Sequence, residues 1–170
     1  MTAAARWILV AALATAACGE AAADEPSGCG AFRWPVEHER AALVRPDKPA
    51  LANGGAIAYD VGTTLKLASF SEAGLPMAPE RAPKLQQSYA GHFTLAAPAK
   101  PGRYKVTITS EGWIDVLDGG NYLRPAAFTG AVNCEGARKS VKFDLPPRPI
   151  AIQFSGVRAG EISVIVSPGE

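Results

Sequence analysis

The sequence is poor in histidine, the side chain that most often serves as a metal ligand or a general base. It has only two, His38 and His92. One falls in a predicted helix and the other in a predicted strand, without the spacing of metal ligands. No G-x-S-x-G motif lies near His92, and no glycine-rich phosphate loop occurs. The sequence therefore predicts no catalytic site, no metal and no cofactor.

The chain also lacks an excess of charge of either sign. It contains 17 Lys and Arg against 16 Asp and Glu, mixed along its length. Nucleic acids and anionic lipids are bound by clustered basic residues. We therefore expect no nucleic-acid partner and a monomer that binds a protein or glycan ligand still to be identified.

Long hydrophobic runs are missing as well. The longest apolar run, residues 7–17, is shorter than the roughly 20 residues that span a membrane. It follows Arg6 and precedes Ala21-Ala22-Ala23, the small residues of a signal-peptidase site, and Asp24 then opens a polar stretch. This pattern predicts a signal peptide over 1–23 and a single domain over 24–170. The protein is expected to be periplasmic or secreted, with no transmembrane segment after cleavage.

Cysteine is scarce, and its positions agree with export. Cys18 lies in the predicted signal peptide, which leaves Cys29 and Cys134 as an even pair. An even number of cysteines in an exported chain predicts a disulfide. The alternative use of Cys18 is lipid attachment, because Ala16-Ala17-Cys18 matches part of a lipobox, although Thr15 stands where such sites usually have Leu. A lipoprotein anchored at Cys18 is therefore the alternative localisation.

Alternating polar and apolar residues dominate the second half of the sequence. This alternation is typical of strands with one buried face. A short helix is predicted over 35–44 and a long surface loop over 71–87. The predicted strands are 63–70, 88–96, 103–110, 112–117, 122–126, 141–145, 150–155 and 162–166. The sequence thus predicts an all-β fold, an antiparallel β-sandwich or jelly roll of about seven or eight strands with one short N-terminal helix.

One predicted hairpin carries the most informative side chains. Asp118-Gly119-Gly120-Asn121 is a strong turn signal between two strands. Trp113 and Asp115 share one face of the first strand, and the other face is apolar. In a structural interpretation, Trp113 packs in the core and Asp115 is a partly buried carboxylate that needs a donor.

The predicted donors for Asp115 are Arg124, Arg138 or backbone N–H groups. In a functional interpretation, Trp113, Asp115, Tyr122 and Arg124 form a candidate binding platform for sugar. The exposure of Trp113 separates these two interpretations.

Several segments resemble a family of small exported alphaproteobacterial proteins of unknown function. The resemblance is carried by Cys29 with Phe32-Arg33-Trp34-Pro35, by Pro79-Glu80-Arg81-Ala82-Pro83, by Gly112-Trp113-Ile114-Asp115-Val116, and by Cys134 with Arg138-Lys139-Ser140-Val141. Some members carry the label homogentisate dioxygenase. Enzymes of that name resemble cupins, are much longer and hold iron with two His and a carboxylate, so we do not carry that activity over to this chain.

Two hypotheses of function follow. The first is an exported, non-catalytic β-sandwich that acts as a binding or structural component of the cell envelope. The second is a carbohydrate-binding module that uses the hairpin around Trp113 and Tyr122. A hydrolase or oxygenase is the least favoured alternative.

Overall fold

The computed structural model describes residues 24–85 and 87–169, so the predicted signal peptide and Cys18 lie outside the described residues. Within these ranges the chain forms one α-helix and twelve strands. The helix is α1 (Glu37–Leu43). The strands are β1 (Ala50–Leu51), β2 (Ala56–Ile57), β3 (Thr63–Lys66), β4 (Ala68–Ser69), β5 (Tyr89–Leu95), β6 (Gly102–Ile108), β7 (Trp113–Asp118), β8 (Asn121–Tyr122), β9 (Ala127–Gly130), β10 (Lys139–Leu145), β11 (Ile150–Val157) and β12 (Glu161–Pro168). Two single-turn 3-10 helices occupy Cys29–Ala31 and Phe70–Glu72.

The strands form two sheets. The first sheet has the order β1-β3-β12-β6-β10-β9, and the second has the order β2-β5-β11-β7-β8, with β4 paired to β5. The prediction of an all-β sandwich with one short helix is confirmed. The predicted strand number is too low, and the sheets are mixed rather than purely antiparallel, because β1 pairs in parallel with β3 and β2 with β5.

The extra strands have a simple cause. Four of the strands, β1, β2, β4 and β8, contain only two residues each. Two residues are too few to show an alternating pattern, so the sequence does not predict β1 and β2. The strand β4 is the end of the predicted strand 63–70, which the structure divides in two, and β8 shares only Tyr122 with the predicted strand 122–126. The remaining unpredicted strand, β9, has the burial pattern of an edge strand and pairs only with β10.

Alternation along the long strands places one face of each sheet in a shared core. The first sheet contributes Leu65, Val106, Ile108, Val141, Phe143, Leu145, Val164 and Val166, and the second contributes Ile57, Phe93, Leu95, Ile114, Val116, Ile150, Ile152 and Phe154. This apolar layer is the main source of stability, since burying each such side chain is worth about 1.5–3 kcal/mol. The core thus fixes both sheets and leaves their outer faces for other contacts.

The N-terminal segment covers the outer face of the first sheet. The helix α1 packs on β12, and the fully buried Glu39 carboxylate lies 2.8 Å from the Lys105 amine. The disulfide Cys29–Cys134, with a Cα–Cα distance of 4.7 Å, ties this segment to the loop before β10. The predicted disulfide is confirmed, and it is consistent with an oxidising compartment. Within the described ranges, no helix is long and apolar enough to cross a membrane.

Candidate functional site

The outer face of the second sheet carries the side chains singled out from the sequence. On β7, Trp113 pairs with Ser155 of β11 and Asp115 pairs with Gln153. Because residues opposite each other on neighbouring strands share a face, these four side chains lie on the same side of the sheet. Residues 78–81, which belong to the predicted surface loop 71–87, lie over this face.

Asp115 is 3% exposed and accepts hydrogen bonds from three donors. The Trp113 indole N–H donates to one carboxylate oxygen at 2.6 Å. The Gln153 amide donates to the other at 2.9 Å, and the Glu80 backbone N–H donates to the same oxygen at 3.3 Å. The burial of Asp115 and the backbone donor agree with the structural interpretation of the sequence. The expectation that Trp113 packs in the core is wrong, because Trp113 lies on the outer face of the sheet and is only partly buried.

The two arginines proposed as partners of Asp115 lie elsewhere. Arg138 pairs with Glu25 at 2.6 Å and approaches Glu111 at 3.8 Å. Arg124 is exposed. An indole and an amide, both neutral donors, take the place of the guanidinium that the sequence suggested.

Trp113 is partly buried, and two cations flank its ring. The Arg81 guanidinium lies 5.4 Å from the ring centroid and the Lys139 amine lies 5.8 Å from it. Both distances are within the range of cation–π attraction. The hydrogen bond to Asp115 fixes the orientation of the indole, so the ring is held in place beside these cations.

A pocket of about 200 Å³ opens beside Trp113. Its lining includes Arg81 and Lys84 from the 71–87 segment, Lys139 at the start of β10, and Arg158 after β11. Burial lowers the pKa of Lys139 below its usual value, and the charges of Arg138 and Arg81 act in the same direction against that of Glu111. We call this the Trp113 pocket; four cations and one carboxylate, Glu111, line it.

Tyr122 and Arg124, the other members of the candidate binding platform, do not line this pocket. Tyr122 pairs with Leu117, four residues along β7 from Trp113 and so about 13 Å away. Its hydroxyl donates to the Ala78 carbonyl of the 71–87 segment. Burial, with the charges of Asp115 and Glu80, raises the pKa of Tyr122. The structure thus brings Trp113 and Asp115 together and places Tyr122 near Asp115 but outside the pocket, whose lining also lacks Arg124.

A row of polar side chains that the sequence did not reveal crosses the same face. His92 on β5 and Asp115 on β7 both pair with Gln153, which lies between them on β11. Within the described part of the chain, His92 Nδ1, Gln153 Oε1 and Ser155 Oγ are buried without a hydrogen-bond partner. Serine, histidine and aspartate therefore share a face here, but Ser155 Oγ does not bond His92, so they do not form a connected triad. The alternation of the sequence predicts which side chains share a face within one strand. It does not predict the order of β5, β11 and β7, which places His92, Gln153 and Asp115 side by side.

The fold and the pocket define a disulfide-linked β-sandwich with a cationic pocket beside a fixed tryptophan. Among residues 24–85 and 87–169, no group of three or more His, Cys, Asp or Glu is arranged to hold a metal ion. The chain matches no protein-family model, no curated protein and no solved structure.

Proposed function

We propose that this protein is an exported, non-catalytic binding protein of the cell envelope, and that the Trp113 pocket is its ligand site. The observation that carries the proposal is the fixed, partly buried indole of Trp113 at a concave cationic surface. Aromatic and arginine side chains in pockets are the usual energetic centres of binding sites. The use of Asp115 as an acceptor for three fixed donors supports a structural rather than a catalytic role for the carboxylate.

Export is the first part of the proposal that can be tested. The disulfide Cys29–Cys134 supports it, since such bonds persist in oxidising compartments. We expect the exported product to begin at Asp24, which mass spectrometry of the intact protein measures. A diacylglycerol-modified N-terminus at Cys18 would show instead that the protein is a lipoprotein.

A glycan is the second candidate for what the site binds. It is favoured by the Trp113 ring, because an aromatic face packs against the C–H surface of a sugar while nearby polar groups bond its hydroxyls. Ser155 Oγ, which has no partner among the described residues, lies in the lining of the same pocket and is available for such a bond.

Cosedimentation with purified, insoluble envelope material tests the proposal. We expect the wild-type protein to sediment with it and the Trp113→Leu variant to remain in solution. Trp34→Leu is the matched control, because Trp34 also lies beside a lysine but packs against the first sheet. Equal sedimentation of the Trp113→Leu variant, with folding checked by its melting temperature, would show that the pocket is not the site. Envelope digested with protease separates the two candidate ligands, since a glycan survives the digestion and a protein does not.

A further inference from the structure

The cations of the Trp113 pocket have no acidic partner within the described part of the chain. Several other arginine and lysine side chains do pair with carboxylates, as in Arg45–Asp47, Lys66–Glu161, Arg103–Asp144, Lys105–Glu39 and Arg148–Asp118. In the described part of the chain, no carboxylate lies within 4.0 Å of the charged nitrogens of Arg81, Lys139 or Arg158. These three unpaired cations converge on one pocket.

Lys139 shows that this arrangement is costly without a ligand. Its amine is partly buried and donates to the Gly112 carbonyl at 2.5 Å, with the Trp113 ring on another side. Burial of an unpaired cation disfavours its charged form, and a bound anion removes that penalty. The position therefore favours an anionic ligand over a neutral one.

Ser155 is a second and independent sign of a ligand. It is 1% exposed, it lines the Trp113 pocket, and its Oγ has no hydrogen-bond partner within residues 24–85 and 87–169. A buried hydroxyl without a partner gives up its hydrogen bonds to water and gains none in return, which is unfavourable. A polar ligand that enters the pocket can accept from, or donate to, this hydroxyl.

The size and charge of the pocket narrow the class of ligand. Its volume of about 200 Å³ is smaller than the roughly 300–1,000 Å³ of sites for drug-sized molecules, so it fits one small unit of a longer chain. The Glu111 carboxylate in the lining can accept hydrogen bonds from hydroxyl groups, and at the same distance it repels a doubly charged phosphate about twice as strongly as a singly charged carboxylate. A sugar unit with one carboxylate supplies hydroxyl donors, a single negative charge and a C–H face for the indole.

We infer that the Trp113 pocket binds a carboxylated sugar unit of an acidic polysaccharide, with Arg81, Lys139 and Arg158 holding the carboxylate. The inference rests on the proposed function, since it names the ligand class of the same site. Charge-assisted hydrogen bonds give the acidic sugar its advantage over a neutral sugar of the same shape.

Calorimetric titration with a trimer of galacturonic acid tests this inference. We expect binding to the wild-type protein that weakens about tenfold or more in Lys139→Met and in Arg158→Gln. The control is Lys100→Met, an exposed lysine outside the pocket, which is expected to bind as the wild type does. Arg158 is exposed, so its variant keeps the test valid if Lys139→Met is poorly folded.

A neutral glucose trimer and inorganic phosphate are the comparison ligands. The indole N–H signal of Trp113 in NMR spectra shows whether a ligand occupies the pocket. Equal affinity for both trimers, with a shifted Trp113 signal, would overturn the inference and leave the proposed binding function intact. Phosphate that shifts the Trp113 signal and displaces the acidic trimer at lower concentration would assign the site to phosphate. An unchanged Trp113 signal with all three ligands, together with unchanged sedimentation of Trp113→Leu, would overturn both proposals.

Discussion

Asp115 shows how a single carboxylate organises the outer face of the second sheet. Its oxygens join an indole on its own strand, an amide on the next strand and a backbone N–H of the 71–87 segment. Removing it leaves these donors without an acceptor in a place that water reaches poorly. Each buried donor left without an acceptor destabilises the folded state by about 1–3 kcal/mol, and removing the carboxylate leaves more than one such donor.

We therefore predict that Asp115→Ala lowers the free energy of unfolding by about 3 kcal/mol. Asp115→Asn, which keeps one acceptor oxygen, is expected to lose less. Denaturant titration measures both, with Asp144→Ala as the control, since Asp144 forms an exposed pair with Arg103. An Asp115→Ala protein as stable as the wild type would show that Asp115 is not a structural residue.

At the scale of elements, the 71–87 segment is held by a few polar contacts along its length. Asn53 donates to the Ala73 carbonyl at 2.8 Å, Tyr122 donates to the Ala78 carbonyl, and the Glu80 backbone N–H donates to the Asp115 carboxylate. Segments with few apolar contacts open locally while the rest of the fold stays intact. This segment also carries Arg81 and Lys84 into the Trp113 pocket, so its attachment affects the site.

We predict that Tyr122→Phe makes the segment open more often without unfolding the sandwich. The change removes the hydroxyl that bonds Ala78 and keeps the ring. Limited trypsin digestion at Arg81 and Lys84 is expected to become several-fold faster, because cleavage follows the population of the open form. Tyr89→Phe is the matched control, since Tyr89 is also a partly exposed tyrosine of the second sheet. Equal cleavage rates in the two variants would contradict a role for Tyr122 in holding the segment.

The helix α1 is attached to the first sheet through a buried ion pair. Glu39 Oε1 lies 2.8 Å from Lys105 Nζ and accepts from Ser167 Oγ at 2.5 Å. Burial acts to raise the pKa of Glu39, but the hydrogen bonds from Lys105 and Ser167 outweigh it, so the pKa lies below its ordinary value. The folded state thus prefers the ionised carboxylate, and this stabilisation is present above the ordinary glutamate pKa.

We predict that the protein loses this stabilisation as the pH falls below about 4.3 and through the lowered pKa of Glu39. Glu39→Gln is expected to cost about 3 kcal/mol at neutral pH and to show a flatter loss of stability in acid. Denaturant titrations at a series of pH values measure both effects, and Glu161→Gln, an exposed partner of Lys66, serves as the control. The same acid dependence in Glu39→Gln and the wild type would contradict the assignment to Glu39.

The long strands could be predicted from the sequence because their alternation reflects the two faces of each sheet directly. The turn at Gly119 and Gly120, with φ of 56° and 83°, is also as predicted, since these angles favour glycine. The partners of Asp115 could not be predicted, because Gln153 and Glu80 reach it only through the order of the strands and the path of the 71–87 segment. The same holds for Arg81 and Arg158, which meet at Trp113 from distant parts of the chain.

For the molecule as a whole, the N-terminal segment is both a cover and a tether. Ser27 of this segment forms an isolated parallel β-bridge with Val132. Phe32 and Val36 pack with Ala131 and Ala137 in a small apolar cluster that is separate from the main core. The disulfide Cys29–Cys134 closes a loop over 105 positions of the sequence. Cross-linking residues so far apart restricts the unfolded chain strongly, by up to about 4.7 kcal/mol in the chain-entropy description.

We predict that replacing both Cys29 and Cys134 with Ser lowers the free energy of unfolding by about 2–5 kcal/mol. The tethered segment supplies Glu39 to Lys105 and covers the first sheet, so the loss is expected to appear in one cooperative transition of the whole domain. Thermal unfolding followed by near-ultraviolet circular dichroism measures it, and adding a reductant to the wild-type protein should reproduce the shift while leaving the double variant unchanged. The opposite result is a double variant that melts at the wild-type temperature while its first 20 or so described residues become sensitive to protease. That result would show that the N-terminal segment unfolds independently and that the disulfide stabilises only this segment.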